Sequence, residues 1–90
     1  MITADVVIEN INGMDSKSAA MLIQKASSYN SEVWFDHNNR RANAKSLLGL
    51  LSLCASKGTT VKLVVAGQDE AKAVKEILEY VDDQWAKDSV

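Results

Sequence analysis

The sequence contains a single cysteine, a single histidine and no proline among its 90 residues. The lone cysteine, Cys54, cannot form an intramolecular disulfide, and together with the lone His37 it cannot build a cluster of thiolate and imidazole metal ligands. We therefore expect no metal and no cofactor. Such sparing use of cysteine is typical of a protein from a reducing cytoplasm.

A positive charge excess and a long apolar run are also missing. Ten Lys and Arg stand against twelve Asp and Glu, a formal net charge of −2, so there is no basic field to hold a nucleic-acid backbone. The longest strongly apolar run, residues 47–55, is far shorter than the roughly 20 residues of a membrane span. The N-terminus carries Asp5 and no basic stretch of the kind found in signal peptides. These absences predict a cytoplasmic protein that binds neither nucleic acid nor membrane.

The remaining composition is that of an ordinary globular domain, with 47% hydrophobic and 24% charged residues. A chain of this length supports one modest core, so we expect a single domain over residues 1–90. Alternating apolar residues predict strands near 2–8, 32–36 and 60–66. Asn38 and Asn39 tolerate the positive φ of a tight turn, which predicts a short strand at about 40–43 paired with 32–36.

Helical spacing of apolar residues appears in three stretches. The first follows the candidate caps Asp15, Ser16 and Ser18 and ends at residues 29–31, and its apolar positions are Ala19, Leu22, Ile23 and Ala26. The last opens with Asp69 and Glu70 and runs to about residue 85, with a predicted stripe of Ala71, Val74, Leu78, Val81 and Trp85. The order β-α-β-β-α-β-α predicts an α+β, two-layer open-faced sandwich, in which helices cover one face of a mainly antiparallel sheet.

The middle helix, from Ser46 to about Leu53, has more leucines than one core face needs. Leu50, Leu53 and Cys54 make an adequate core face. The others, Leu47, Leu48 and Leu51, lie on an adjoining arc and predict an exposed apolar patch that marks an interaction site. The alternative is a helix buried on all sides, and periodicity alone leaves it open.

Ser46 is placed to act as the N-cap of this helix. A phosphate added there would sit at the positive end of the helix dipole, beside Lys45, without unfolding the helix. A serine before a helix is usually only a cap, so this pattern alone does not indicate phosphorylation.

Residues 41–58, R-A-N-A-K-S-L-L-G-L-L-S-L-C-A-S-K-G, closely resemble the segment around the regulatory serine of HPr, the phosphocarrier of the bacterial sugar phosphotransferase system. The resemblance extends through the order of elements and the G-Q-D-E-A motif at residues 67–71, so it covers nearly the whole chain. It implies the sheet order 1-4-2-3.

The active loop departs from this family. Where HPr proteins have G-[LIM]-H-A-R-P-A, residues 13–19 read G-M-D-S-K-S-A. Asp15 stands at the position of the phosphohistidine, Lys17 replaces the arginine and Ser18 replaces the proline. A retained serine site with a missing histidine resembles the Crh branch of the family, which serves catabolite regulation, although that branch carries glutamine where this chain has Asp15.

The resemblance implies a regulatory protein that is not an enzyme and has no catalytic residue. HPr kinase would phosphorylate Ser46, and the phosphoprotein would bind a LacI-type transcriptional regulator as corepressor. The expected contact residues are Asp15, Lys17, Lys45, Leu47, Leu48 and Leu51. Other phosphotransferase-system proteins are further candidate partners, and the chain is expected to be a monomer or a strand-swapped dimer.

Asp15 leaves several alternatives open. Its carboxylate is anionic at neutral pH and repels an incoming phosphate, yet aspartyl phosphates exist, so an unusual phosphocarrier using Asp15 is one alternative. Asp15 can also imitate a phosphorylated histidine, or simply cap the first helix. A degenerate HPr paralogue that competes for the family's partners is a further reading.

Overall fold

The computed structural model describes residues 1–10, 12–53 and 55–88. Its elements are, in chain order, β1 (Ile2–Val7), α1 (Ser16–Ala26), β2 (Glu32–His37), β3 (Arg40–Asn43), α2 (Leu47–Ser52), β4 (Thr60–Ala66) and α3 (Glu70–Asp88). The predicted order is confirmed, and the strand bounds agree to within one residue. Helix α3 continues three residues past the predicted end.

The strands form an antiparallel sheet in the order β1-β4-β2-β3, as the resemblance implied. Strands β2 and β3 are joined by the predicted tight turn, in which Asn38 has φ 50° and Asn39 has φ 63°. Two successive positive φ values give a turn whose twist matches that of the flanking strands. The two asparagines therefore set the register that places Phe35 opposite Ala42.

The core lies between one face of the sheet and the helices. Strand residues Val33, Phe35, Leu63 and Val65 are buried on this face, and the helices add Leu22, Leu50, Ile77 and Trp85. On the other face, the exposed Arg41 forms an ion pair with Asp36, with Nε and Oδ1 2.8 Å apart, and its guanidinium lies 5.0 Å from the ring of Trp34. The open-faced α+β sandwich is confirmed.

The predicted core stripe of α3 is partly wrong. Val81 and Trp85 are buried as expected, but Ala73 and Ile77 complete the buried face. The predicted Ala71 is exposed, while Val74 and Leu78 are only partly buried. The sequence offers neighbouring apolar stripes on this helix, and a polar anchor lies at its N-terminus.

That anchor joins α3 to the segment 29–31 between α1 and β2. The Asp69 carboxylate accepts hydrogen bonds from the N–H groups of Asn30 and Ser31, each at 2.9 Å, and from the Ser31 hydroxyl. Gly67, at φ 155°, passes so close that an added Cβ would lie 2.5 Å from Ser31 Oγ, so only glycine fits there. The Ser31 hydroxyl, followed by the Asn30 N–H, holds the pKa of Asp69 below its usual range.

Among the described residues, no helix combines the length and the apolar character that crossing a membrane requires.

Replacing Asp69 with Asn tests the anchor through the pH dependence of stability. A carboxylate with a lowered folded-state pKa stabilises the fold fully above its unfolded pKa of about 3.9, and this contribution is lost as the pH falls through the folded-state value. In urea unfolding, we expect the wild type to be more stable than Asp69→Asn at neutral pH, with the difference shrinking below about pH 4.

Asp82→Asn, which removes an exposed carboxylate from the same helix, is the matched control. A stability difference between wild type and Asp69→Asn that stays constant at acidic pH would contradict the role given to the anchor.

Candidate functional site

The loop before α1 is fixed against the chain that follows α2. The Met14 N–H donates to the Ala55 carbonyl at 2.9 Å. Gly13 has φ 67°, and a Cβ added to it would lie 2.5 Å from the same carbonyl oxygen. The glycine is thus required by both its conformation and its close approach. It brings the start of α1 beside the end of α2.

Asp15 is the N-cap of α1, in the extended conformation at φ −88° and ψ 178°. Its Oδ1 accepts a hydrogen bond from the Ser18 N–H at 2.9 Å. This N–H is the main cause that lowers the pKa of Asp15, and the positive charge of Lys17 adds a smaller effect. The structure therefore contains the cap that was one of the alternatives for Asp15.

The cap depends on Ser18, the residue that replaces the family's proline. A proline has no N–H, so at this position it would leave the Asp15 carboxylate without its donor. The Ser18 hydroxyl is buried and accepts a hydrogen bond from Asn10 Nδ2 at 2.8 Å. Two of the loop's departures from the family, Asp15 and Ser18, are thus joined by a hydrogen bond.

Asn10 is part of this arrangement and was not predicted. It is 2% exposed, and its Oδ1 has no hydrogen-bond partner among the described atoms. Burying a carboxamide without a partner for each polar atom lowers the stability of the fold. The bond to the Ser18 hydroxyl satisfies the amide nitrogen of this side chain. Nothing in the spacing of residues 8–13 signals that this asparagine points inward.

The arrangement gives Asp15 a structural role. The Ser18 N–H stabilises the carboxylate as an anion, and the carboxylate caps the start of α1.

Ser46 is the N-cap of α2, as predicted, at φ −121° and ψ 120°. Its Oγ accepts a hydrogen bond from the Gly49 N–H at 3.2 Å, and its own N–H donates to the Asn43 carbonyl at 3.0 Å. The Asn43 side chain accepts a further bond from the Lys45 N–H at 2.8 Å. Asn43 was not singled out in the sequence, although an asparagine two residues before a fixed N–H is a known turn signal.

Lys45 does not extend toward the serine it adjoins. Its ammonium donates to the carbonyl oxygens of Tyr29 at 2.9 Å and Ser31 at 3.0 Å. The charge expected beside a phosphate on Ser46 is therefore committed to the segment 29–31.

The leucine patch on α2 is present in reduced form. Leu48 is 82% exposed and Leu47 41% exposed, whereas Leu51 is partly buried against the core. Leu50 and Leu53 are buried as predicted, and Cys54, assigned to the same core face, lies outside the described residues. The helix is thus not buried on all sides, and its exposed part is mainly Leu47 and Leu48.

Lys17 is exposed in the first turn of α1 and lines a groove shared with α3. Helices α1 and α2 pack against each other, so the two capped helix starts, at Asp15 and Ser46, belong to one helical layer. His37 is the last residue of β2, directly before the tight turn. In the part of the chain that the structure describes, no cluster of His, Asp or Glu side chains is suited to holding a metal ion.

Known proteins are similar to this chain in both sequence and fold. A family model described as the PTS HPr component phosphorylation site matches residues 2–83. The chain belongs to the HPr family. It is 33% identical over 84 residues to the HPr-like protein Crh of Bacillus subtilis, which covers 93% of this chain and 99% of Crh. It is 35% identical over 82 residues to the phosphocarrier protein HPr of Neisseria meningitidis, with 91% and 92% of the two chains covered.

Solved structures agree with this assignment. The crystal structure of HPr-C-His from Thermoanaerobacter tengcongensis superposes with a TM-score of 0.89 at 33% identity, and the match covers all of both chains. A crystal structure of Bacillus subtilis Crh gives a TM-score of 0.74 at 33% identity over 93% of this chain and 97% of Crh. The protein is an HPr-like, Crh-like member of the phosphotransferase-system family.

Replacing Ser18 with Pro restores the family's residue and tests the capped loop. The substitution removes the N–H that Asp15 accepts and the hydroxyl that Asn10 contacts, so we expect a loss of about 1–3 kcal/mol in the free energy of unfolding. Ser18→Ala is the matched control, because it removes the hydroxyl but keeps the N–H.

Urea unfolding of both variants, with and without Asp15→Ala, separates these effects. We expect Ser18→Pro to be less stable than Ser18→Ala only while Asp15 is present. Equal stability of the two variants in the Asp15 background would mean that the cap contributes nothing.

Proposed function

We propose that this protein is a regulatory HPr of carbon catabolite control, phosphorylated on Ser46 by HPr kinase and then bound by a LacI-type transcriptional regulator as corepressor. The observation that carries the proposal is a contrast between the helix starts. The hydroxyl of the half-buried Ser46 caps α2 beside the exposed Leu47 and Leu48, while the phosphohistidine position holds a carboxylate that caps α1.

Phosphorylation of Ser46 is an ordinary phosphoryl transfer to a hydroxyl. Ser46 Oγ attacks the terminal phosphorus of a nucleoside triphosphate bound by the kinase, the bond to the departing diphosphate breaks, and the Oγ proton passes to a base of the kinase. The contact between Gly49 N and Ser46 Oγ, at 3.2 Å, is at the long end of the normal range. A hydroxyl oxygen has two lone pairs, so Ser46 Oγ can accept the Gly49 N–H and still offer a lone pair for the attack.

A phosphate on Ser46 would be tolerated by the fold. A negative charge at a helix N-terminus contributes about 0.3–1 kcal/mol, and the six residues of α2 place this case at the lower end. The effect on stability is therefore small, and the phosphate acts by docking rather than by reshaping the domain.

The charge of that phosphate would be directed at the partner. Lys45 is committed to the carbonyls of Tyr29 and Ser31, so the regulator has to supply the cation that binds the phosphate. Charge-assisted hydrogen bonds from Arg or Lys to phosphate are the strong kind. Lys17, exposed on α1, remains as a contact for the partner's carboxylates.

Magnitudes explain why the phosphate would control binding. Burying an exposed leucine contributes about 1.5–3 kcal/mol, while association costs an estimated 4–15 kcal/mol. Leu48 is 82% exposed and Leu47 only 41% exposed, so these two leucines, with the partly buried Leu51, reach at most the lower end of the cost of association. The bonds to the phosphate then decide whether the complex forms.

Binding of the phosphorylated protein to a purified LacI-type regulator tests the proposal. We expect the phosphoprotein to bind and Ser46→Ala to fail. Leu48→Ala is expected to weaken binding even when Ser46 is phosphorylated. Val7→Ala, at an exposed apolar residue on β1, is the matched control and should bind as the wild type does.

Either of two results would end the regulatory proposal: a purified HPr kinase that leaves Ser46 unmodified, or Ser46→Ala protein that binds as well as the phosphoprotein. The reading as a degenerate paralogue that occupies HPr partners would then take its place.

A phosphocarrier that uses Asp15 is the second candidate, favoured by the family model and by the relatives named HPr. The test is incubation with phosphoenolpyruvate and the first enzyme of the phosphotransferase system. We expect no acid-labile, hydroxylamine-sensitive label on Asp15, because its Oδ1 accepts the Ser18 N–H and its negative charge repels the incoming phosphate. The triple variant Asp15→His, Lys17→Arg, Ser18→Pro should accept phosphate, and labelled wild type would support the phosphocarrier instead.

Exchange of β1 between two copies is part of the same proposal for the oligomeric state. The Bacillus subtilis Crh structure is described as an intertwined dimer with a swapped domain. Strand β1 here is an edge strand that pairs only with β4 among the described strands, and its end is held by an ion pair between the Met1 ammonium and Glu70 at 3.0 Å. Light scattering distinguishes the monomer from this dimer.

A further inference from the structure

The turn between β3 and α2 is tied to a distant part of the chain by one side chain. Lys45 lies half-buried in this turn, and its ammonium reaches carbonyls that are 16 and 14 residues earlier in the sequence, those of Tyr29 and Ser31. An ammonium has three donors, and these bonds direct it away from solvent. The same residue's N–H is bound by the side chain of Asn43.

The segment that Lys45 contacts is itself fixed. Asp69 at the start of α3 binds the N–H groups of Asn30 and Ser31, and the Tyr29 hydroxyl donates to Glu76 in the same helix. Lys45 is therefore tied to a part of the fold that is anchored independently of α2.

The bonds of Lys45 also restrict the backbone of Ser46, the next residue. Its extended backbone and the bond from its N–H to the Asn43 carbonyl belong to the turn that Lys45 fastens. Without the lysine, the turn keeps the bond from the Ala44 N–H to the Val33 carbonyl at 2.8 Å, but Ser46 keeps only short-range bonds, from its N–H to the Asn43 carbonyl and from the Gly49 N–H to its Oγ. Such bonds at a half-buried position open more readily than those of the core.

We propose that Lys45 is a positioning residue for the Ser46 site, which holds the serine in the single backbone conformation that the kinase recognises. The inference rests on the proposed function, and it gives Lys45 a different task from the one expected from sequence. Its charge fastens the turn before modification rather than neutralising the phosphate afterwards.

A positioning role has a distinct kinetic signature. If the released turn adopts the recognised conformation only a tenth of the time, the apparent affinity for the kinase falls by about tenfold. The chemical step is unaffected once the correct conformation is bound. The expected effect is thus a raised KM at nearly constant kcat, whereas a merely destabilising change would lower the melting temperature and leave KM unchanged in the folded protein.

The test uses the full chain with a purified HPr kinase and ATP, at a temperature where every variant is folded. We expect Lys45→Met, which keeps the length but loses the donors, to raise KM about tenfold. Lys45→Arg, which can still donate to both carbonyls, should restore most of the affinity. Lys72→Met removes an exposed lysine from α3 and should behave as wild type.

A measurement without kinase separates this inference from the proposed function. Amide hydrogen exchange of the unmodified protein should show that Lys45→Met loses protection at the N–H groups of Ser46 and Gly49, while amides of β4 keep theirs. If the kinase does not act on the wild type, the proposed function fails. The hydrogen-exchange measurement would still decide whether Lys45 holds the backbone at Ser46. Unchanged protection at Ser46 and Gly49, loss of protection in β4 as well, or wild-type KM in Lys45→Met would each overturn the positioning role.

Discussion

The segment 29–31 between α1 and β2 has its backbone polar groups bound from opposite sides. Asp69 accepts its N–H groups, and Lys45 donates to its carbonyls. Backbone groups withdrawn from water need partners, and here charged side chains of α3 and of the turn before α2 provide them. These contacts hold both the start of α3 and the turn that contains the backbone next to Ser46. The fold and the candidate site therefore share one anchor.

In the loop before α1, two residues that differ from the family motif, Asp15 and Ser18, depend on each other. An aspartate in place of the phosphohistidine would be an unsupported negative charge if the family's proline followed it, because proline has no N–H to offer. With Ser18 present, Asp15 caps the helix and is stabilised as an anion. The shape of the loop is fixed by Gly13 and the Ala55 carbonyl, and the carboxylate at the phosphohistidine position stabilises the start of α1.

The sequence predicted those features that depend on neighbouring residues alone, namely turns, helix caps and exposed faces. Asn38 and Asn39 specify a turn with positive φ, Asp15 and Ser46 are good caps before apolar helices, and excess leucines on a short helix indicate exposure. The sheet order came from the resemblance, since periodicity gives strands without their neighbours. In the middle helix the prediction holds for one leucine and fails in part for another. Leu48 is exposed as predicted, whereas Leu51, also predicted to be exposed, packs partly against the core.

What could not be predicted depends on contacts across the fold. The buried face of α3 includes Ala73 and Ile77, which the predicted stripe missed, and the start of the helix is tied to the distant segment 29–31, which donates to Asp69. Lys45 has several rotatable bonds, and its choice of distant carbonyls over the adjacent Ser46 follows only from where residues 29–31 lie. Asn10 is turned inward by a hydroxyl eight residues later, a pairing that no sequence period encodes.

The central claim is that regulation has passed to Ser46 while the phosphohistidine position has become a structural carboxylate. It is tested most directly by mapping the phosphate on the protein isolated from its own cells during growth on a rapidly used sugar. Mass spectrometry under conditions that preserve both phosphoserine and acyl phosphate should find phosphate on Ser46 and none on Asp15. Phosphate on Asp15, or an unmodified Ser46 in those cells, would contradict the account.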